Sequence, residues 1–137
     1  MEVKDLRIGN IILDDEGGIV VVEQLTSKLM KNNHLLDEQV AFILLYSCDT
    51  NIKECDINRC KGIQLTENIL LDCGMHKSIW SATRFIFNDE QFHIDILNGR
   101  FVFRGLGMSV VYVDFLHDLQ NIYFAVRRKE LEYKKSD

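Results

Sequence analysis

Hydrophobic and polar residues alternate most regularly on either side of an Asn-Gly pair in the last third of the chain. The alternation runs from Phe92 to Leu97, Asn98-Gly99 follows, and the alternation resumes from Arg100 to Arg104. Asn-Gly between two alternating runs is a strong hairpin signal, because both residues accept positive φ angles. We predict a β-hairpin whose buried face carries Phe92, Ile94, Ile96, Phe101 and Phe103 and whose outer face carries His93, Asp95, Arg100 and Arg104.

The segment from Phe115 to Val126 has the 3.6-residue period of an amphipathic helix. At about 100° per residue its apolar positions share one arc, which contains Phe115, Leu116, Leu119, Ile122, Tyr123 and Val126. His117 and Gln120 fall on the margin of this arc, so we predict that both are half-buried. Two interpretations stay open: they satisfy neighbouring backbone groups, or they form the rim of a ligand pocket.

The N-terminal segment favours β structure. Two runs rich in β-branched residues, Leu6 to Leu13 and Ile19 to Glu23, flank the acidic, glycine-rich turn Asp14 to Gly18. They predict a hairpin, with a bulge at Gly9-Asn10, where a small residue permits the backbone to bend. A third strand is predicted from Val40 to Tyr46. Together these strands indicate a small, strongly bent antiparallel sheet of SH3-like type.

The middle of the chain predicts a loop followed by a short helix. The stretch from Asn51 to Gly62 is polar and reads as loop. Thr66 is a natural N-cap, and Gly74 marks the end of the helix. Its apolar side carries Ile69, Leu70 and Cys73.

Two short strands complete the predicted elements. One covers Phe85 to Phe87 and turns at Asn88-Asp89, and the other, Glu130 to Tyr133, returns to the sheet after the last helix. The predicted fold class is therefore α+β: a bent N-terminal sheet, a short middle helix, an antiparallel β-meander with an Asn-Gly hairpin, and a packed C-terminal helix.

Length, composition and charge restrict the protein class. The 137 residues fit one domain, with the SH3-like part at residues 1–50 and the α+β part at 63–133. The net charge of −5, from 21 acidic and 16 basic residues, argues against general nucleic-acid binding. The chain has neither an apolar run of about 20 residues nor a hydrophobic signal core, so we expect a cytoplasmic protein that does not bind membranes.

Four cysteines raise the question of a metal site. In a cytosolic protein Cys48, Cys55, Cys60 and Cys73 are expected to be free thiols. The alternative is a zinc site, in which Cys73 and His76, at C-x-x-H spacing, would join Cys55 and Cys60. We expect no metal and no cofactor, and metal analysis of the purified protein distinguishes the two interpretations.

No catalytic motif stands out in the sequence. His93-Ile94-Asp95 places an imidazole and a carboxylate on one strand face, which suits metal binding or acid–base chemistry but also occurs on ordinary exposed strands. Gly105-Leu106-Gly107 lacks the third glycine of a dinucleotide site and reads as a flexible turn. The chain is therefore not expected to be an enzyme.

A binding surface is the alternative to a catalytic site. Trp80, Arg84, Arg100 and Arg104 would form an aromatic and guanidinium patch if the sheet brings their strands together, and such a patch suits phosphates and bases. The other interpretation is a set of solvated arginines paired with Asp95 or Glu90. The predicted ligand-binding residues are therefore six: these four, together with His117 and Gln120 as the possible rim of a pocket.

Three segments match recurring sequence patterns. Leu6 to Asn10 reads LRIGN, Ile63 to Met75 is similar to PIPLTEEWLLKFGF, and Val113 to Ala125 is similar to YVHQLQNLYFALTG. The chain thereby resembles an uncharacterised family of short phage and mobile-element proteins of Bacteroidetes. It departs from the family at Arg127-Arg128, where the pattern has Thr-Gly, and at Cys73, where the pattern has an aromatic residue. The resemblance implies a phage or prophage setting and no particular activity.

These observations lead to two functional hypotheses. The first is a non-enzymatic phage or prophage accessory protein in the host-cell cytoplasm. It would act by stoichiometric capture of a small anionic nucleotide, such as a defence signal, or of a host protein. The second is a structural or regulatory accessory subunit, either an assembly component or a replication adaptor. We expect a homo-oligomer in the first case, because oligomerisation builds pockets between subunits.

Overall fold

The chain folds into two compact units, Met1–Ile63 and Gln64–Asp137. The computed structural model describes residues 5–31, 37–47, 52–87, 92–105 and 110–135, and of residues 24–31, 37–47 and 52–57 it describes the backbone alone. The described residues contain two antiparallel sheets and two α-helices, which confirms the predicted α+β class. The boundary between the two units lies between Ile63 and Gln64. The predicted single domain over residues 1–137, with parts at 1–50 and 63–133, stays a prediction.

The first unit contains a four-stranded antiparallel sheet in chain order. Its strands are β1 (Ile11–Leu13), β2 (Ile19–Lys31), β3 (Asp37–Ser47) and β4 (Ile52–Asp56). The register between β2 and β3 shifts between Val22 and Gln24, and such an irregularity bends a sheet. The predicted small, bent sheet is confirmed as an open sheet, and the described strands form no closed barrel.

The predicted bulge at Gly9-Asn10 is confirmed. Gly9 has a φ of 94°, donates its backbone N–H to the Val22 carbonyl and precedes Asn10, whose carbonyl accepts from the Val22 N–H. Two residues therefore oppose one, with glycine at the left-handed position. The Asn10 side chain is fully buried, and its Oδ1 accepts from the Arg7 N–H at 2.6 Å, next to a core of Ile12, Val20 and Val22.

The loop predicted from Asn51 to Gly62 is wrong over its first half. Residues Ile52–Asp56 form β4, which pairs with β3, and Ile57–Arg59 form a 3-10 turn. The charged sequence IKECD hid this strand because it lies at a sheet edge, where Lys and Glu are common. The chain then returns to β1, where Leu13 and Lys61 exchange two backbone hydrogen bonds of 2.8 and 3.0 Å.

The second unit contains a five-stranded antiparallel sheet, also in chain order. Its strands are β5 (His76–Lys77), β6 (Arg84–Ile86), β7 (Phe92–Leu97), β8 (Arg100–Gly105) and β9 (Val111–Tyr112). The predicted Asn-Gly hairpin joins β7 to β8, with φ values of 51° at Asn98 and 76° at Gly99. The predicted turns at Asn88-Asp89 and Leu106-Gly107 lie outside the described residues.

The middle helix, α1 (Glu67–Asp72), begins and ends where the sequence predicts. The Thr66 hydroxyl accepts from the Ile69 backbone N–H at 3.2 Å and caps the first turn. Gly74, with a φ of 87°, follows the C-cap and lets the chain reverse. Leu70 and Cys73 are buried, as the predicted apolar side requires.

The terminal helix, α2 (Leu116–Arg127), packs on the inner face of the sheet. Its Tyr123 ring lies 5.7 Å from the ring centroid of Phe92 and 5.3 Å from that of Phe87, and Phe92 lies 5.1 Å from Phe103. Phe92, Ile94 and Phe103 are at most 1 % exposed. The predicted packing of hairpin against helix is therefore confirmed.

The strand predicted from Glu130 to Tyr133 does not form. These residues have no sheet partner; instead the Lys134 N–H donates to the Asp72 carbonyl at the end of α1, and Leu131 is buried. The tail thus packs along α1, whose last carbonyls lack partners inside the helix. In the part of the chain that the structure describes, no helix is long and apolar enough to cross a membrane.

Candidate functional site

The outer face of the second sheet brings most of the predicted binding residues together. Strand register places Arg84 beside Asp95 and His93 beside Arg104, on the face opposite the buried phenylalanines. Arg100, the first residue of β8 after the Asn98-Gly99 turn, lies on the same face. The four residues predicted on the outer face do lie on one face, and three arginines share it. This face is only partly exposed, because Val102, which pairs with Asp95 there, is fully buried.

Asp95 is the centre of this face. Its carboxylate accepts hydrogen bonds from Arg84 Nε at 2.8 Å and from Arg84 Nη2 at 3.3 Å, and Arg104 Nε and His93 Nε2 lie 3.5 and 3.4 Å from its Oδ2. We call these four residues the Asp95 cluster. The interpretation in which the arginines pair with Asp95 is thus confirmed for Arg84 and Arg104, whereas Glu90 lies outside the described residues.

The Asp95 cluster carries more positive than negative charge. Burial alone would raise the pKa of Asp95, but the hydrogen bond from Arg84 and the charges of His93, Arg84 and Arg104 bring it below its ordinary value. Burial lowers the pKa of His93, and the two guanidinium groups lower it further, against the opposing effect of Asp95. At pH 7 one ionised carboxylate therefore faces two guanidinium groups and a neutral imidazole.

Two nitrogen atoms of the cluster lack hydrogen-bond partners. His93 Nε2 and Arg104 Nε are both shielded from solvent, and neither makes a hydrogen bond among the described residues. The side chains of Arg84 and Arg104 are nevertheless 42 % and 43 % exposed. Buried polar atoms without partners are rare in native proteins, and an ion or a water molecule commonly occupies such a place.

Arg100 belongs to a second arrangement at the turn end of the sheet. Its guanidinium lies 4.0 Å from the Tyr112 ring centroid and donates to Asp114, with a closest distance of 2.9 Å. Neither Tyr112 nor Asp114 was singled out from the sequence as a partner of Arg100.

A cleft of about 310 Å³ opens beside Arg100. We call it the turn cleft; its walls include Gln64, Leu65, Arg100, Phe101, Asp114 and Phe115. A backbone bridge between Gln64 and Phe115 forms one side of it. The Phe115 side chain is 38 % exposed, so part of this aromatic ring is available to a binding partner.

The prediction that His117 and Gln120 are half-buried is wrong. They are 3 % and 1 % exposed, whereas Val126, placed within the predicted apolar arc, is 38 % exposed. The buried stripe of α2 is centred on Leu116, His117, Leu119, Gln120 and Tyr123. The apolar arc was predicted from the hydrophobic residues alone. Such a prediction misses polar residues that are buried because they have interaction partners. Both residues have interaction partners; Phe115 stacks on the His117 ring, and His117 Nε2 lies 3.5 Å from Asp118 Oδ1.

Trp80 does not join the arginines within the chain. It lies in the loop of residues 78–83, between β5 and β6, and is 90 % exposed. Its neighbour Ile79 is 88 % exposed and was not singled out from the sequence. The predicted aromatic and guanidinium patch is therefore incomplete in a single copy, since such an exposed indole covers little of any other side chain.

The cysteines with described side chains are buried free thiols. Cys60 and Cys73 are 4 % and 6 % exposed. Burial, with a smaller effect from Asp72, raises the pKa of Cys73 to about 12. Among the described side chains no three His, Cys, Asp or Glu residues are grouped to hold a metal ion. The side chain of Cys55, one proposed zinc ligand, lies outside them.

Comparisons with protein-family models, with curated proteins and with solved structures find no match for this chain.

Proposed function

We propose that the chain is a non-enzymatic binding protein that captures one small anionic ligand on the Asp95 cluster. The observation that supports this proposal is the convergence of Arg84, Arg104 and His93 on a single carboxylate, on one face of the second sheet. The excess positive charge and the unmet nitrogen atoms suit a ligand that carries acceptor oxygens. Phosphate oxygens fit best, because the planar guanidinium group donates two parallel N–H groups to them.

Asp95 holds the two arginines of the cluster to different degrees. It holds Arg84 through two hydrogen bonds and leaves Arg104 with one long contact of 3.5 Å, so Arg104 is the side chain more easily turned toward a ligand. The chain as a whole carries a net charge of −5, which repels extended polyanions. A small anion that fits a local excess of positive charge is therefore a better ligand than bulk nucleic acid.

A phage or prophage setting gives this capture a biological role. The resemblance of the LRIGN segment and of the terminal-helix segment to short phage and mobile-element proteins supports that setting. A phage protein without catalytic groups acts by occupying its target, and a nucleotide defence signal of the host is a small anion of the required chemistry. We propose counter-defence capture in the host cytoplasm as the biological role.

Titration calorimetry tests the proposal with three probes: inorganic phosphate, a nucleoside monophosphate and a cyclic dinucleotide. We expect saturable binding of at least one probe, with one ligand per site. Replacing Arg104 by Gln removes a charged donor and should weaken binding about 10-fold or more, since a hydrogen bond to a charged group contributes about 1.5–3 kcal/mol. Absence of heat with all three probes would remove the anion proposal.

Arg59→Gln is the matched control. Arg59 is an exposed arginine in the 3-10 turn of the first unit, and its removal changes the net charge by the same amount. Equal losses in the Arg104→Gln and Arg59→Gln variants would show that net charge alone attracts the anion, and the Asp95 cluster would lose its proposed role.

A second candidate function is a structural or regulatory accessory subunit. The exposed pair Ile79 and Trp80 favours it, because large apolar side chains that stand free in solvent mark protein contacts. Light scattering after size-exclusion chromatography distinguishes the candidates. A large ring or filament would favour an assembly component, whereas a compact oligomer with ligand heat would favour capture.

A further inference from the structure

The loop of residues 78–83 holds two large apolar side chains out into solvent. Its base is closed by the Ser78 N–H, which donates to the Arg84 carbonyl at 2.8 Å. The Trp80 N–H donates to the Ser78 hydroxyl at 3.1 Å, so the loop backbone has an internal hydrogen bond at its tip. An indole presented in this way buries about 150–250 Å² when it is covered, with little ordering of the loop.

The charges around the loop favour a protein pocket over a membrane surface. Residues 78–83, SIWSAT, are uncharged, and the cations on either side are already paired: Lys77 Nζ lies 3.5 Å from Glu67 and Arg84 Nε lies 2.8 Å from Asp95. Attachment to anionic lipids relies on unpaired Lys and Arg near the surface. A neutral, apolar tip on an acidic protein therefore suits an uncharged pocket.

The turn cleft of the same unit offers such a pocket. Its volume of about 310 Å³ is sufficient for an indole ring, and Leu65, Phe101 and Phe115 provide apolar walls. Its two charged residues, Arg100 and Asp114, pair with each other at 2.9 Å and leave no net charge. Another cleft of similar volume, beside Cys73 and Tyr123, has one lysine and two glutamates in its walls and is less suited to an acidic partner.

The polar groups of the turn cleft also match the indole. Asp114 and the Gln64 side chain carry oxygen atoms that can accept the indole N–H, the one hydrogen-bond donor that a buried tryptophan must satisfy. Arg100 already stacks on the Tyr112 ring, and a guanidinium group can contact a second aromatic face.

We infer that Trp80 of one copy docks in the turn cleft of a second copy of this chain. A Trp80 that is 90 % exposed does not occupy the cleft of its own chain, so the contact is intermolecular. If each copy gives and receives a tryptophan, a closed dimer results; if the contact is one-way, it generates a ring or a chain of copies. The contact is separate from anion capture on the Asp95 cluster, and either can fail alone.

Tryptophan fluorescence reports the contact directly, since Trp80 is the only tryptophan of the chain. The emission should shift from that of a solvated indole at low concentration to that of a buried indole at high concentration, in parallel with association in sedimentation velocity. Trp80→Ala should weaken association about 30-fold or more, as expected for a central aromatic hot spot. Leu71→Ala, which changes another exposed apolar residue, should leave association unchanged.

A pair of complementary variants separates docking from a general loss of apolar surface. Gln64→Trp places a ring in the cleft from an exposed position and should weaken association to a similar extent, while circular dichroism shows that the variant is folded. Mixing it with Trp80→Ala should restore association between the two variants, because each supplies the half that the other lacks. Failure of the mixture to associate would overturn the inference.

Two further results would also overturn it. The first is a wild-type protein that stays monomeric with solvated emission at all concentrations. The second is an emission shift caused by phosphatidylserine vesicles in the absence of self-association, which would assign the loop to a membrane. Anion binding by the Trp80→Ala variant, measured by calorimetry, shows independently whether capture on the Asp95 cluster survives.

Discussion

Replacing Asp95 by Asn removes the negative centre of the Asp95 cluster while keeping its shape. The carboxylate accepts two hydrogen bonds from Arg84 and lies within 3.5 Å of nitrogen atoms of Arg104 and His93. In the variant, two guanidinium groups would face each other without a counter-charge. We therefore expect a less stable protein at pH 7.

The magnitude follows from the partial burial of the cluster. Exposed ion pairs contribute about 0.2–1 kcal/mol, whereas breaking a fully buried pair costs about 3–5 kcal/mol. The side chain of Asp95 is 14 % exposed and that of Arg84 is 42 % exposed, so solvent screens one partner and not the other. We expect Asp95→Asn to lower the free energy of unfolding by about 1–2 kcal/mol, between these limits.

Urea denaturation measures this loss, which should lower the midpoint by about 1 M. The pKa of Asp95 is lower in the folded protein than its ordinary value, so the stabilisation is complete above about pH 4 and is lost as the pH falls through the folded-state pKa. The difference between wild type and variant should therefore persist from pH 7 to pH 5. Phosphate in place of chloride, at equal ionic strength, should restore more stability to the variant than to the wild type, because the anion replaces the carboxylate.

An Asp95→Asn variant as stable as the wild type at pH 7 would refute the reasoning. It would mean that the hydrogen bonds from Arg84 to Asp95 add nothing to the free energy of unfolding beyond what hydration of the two groups provides. A destabilised variant that gains nothing from phosphate would keep the structural role of Asp95 and contradict the anion site.

Three further predictions concern single residues. Gly99→Ala should destabilise the protein by about 1–2 kcal/mol in urea denaturation, because the φ of 76° is left-handed and strained for alanine. An added Cβ would meet no other atom within 4 Å, so backbone strain is the only expected cost. An unchanged midpoint would contradict the turn conformation. His93→Gln should reduce the loss of stability between pH 7 and pH 5. Burial lowers the pKa of His93, so the stability is complete above about pH 6.5 and is lost as the pH falls through the folded-state pKa. Parallel pH profiles of wild type and variant would argue against this role of His93. Cys73, with a pKa of about 12, should react with iodoacetamide at pH 8 much more slowly in the native protein than in urea, as peptide mass spectrometry can show; equal rates would indicate an accessible thiolate.

Local signals in the sequence predicted the hairpin and the middle helix of the second unit well. Asn98-Gly99 determines the hairpin because few residue pairs accept two positive φ angles, and Thr66 and Gly74 mark the ends of α1 by their own chemistry. The alternation in β7 then places Arg84, Arg104 and Asp95 on one face as soon as neighbouring strands pair. For this part, local pattern and tertiary structure agree.

The errors arose where tertiary context decides the outcome. His117 and Gln120 are polar, yet both are buried in α2. A polar residue can occupy a core position when it has interaction partners, as both residues do. The periodicity of the sequence does not reveal those partners. The charged strand β4 pairs at a sheet edge, which no alternation of apolar residues marks. The separation of Trp80 from the arginines likewise depends on where a loop points.

Nuclear magnetic resonance of the arginine Nε–H groups tests the central claim most directly, namely that the Asp95 cluster binds a small anion. A titration with a cyclic dinucleotide keeps the ligand charge constant across neutral pH and reports each arginine separately. We predict saturable shifts of the Arg84 and Arg104 signals with a common dissociation constant, and an unchanged Arg59 signal. Shifts of equal size at all arginines, or none at Arg84 and Arg104, would contradict the account.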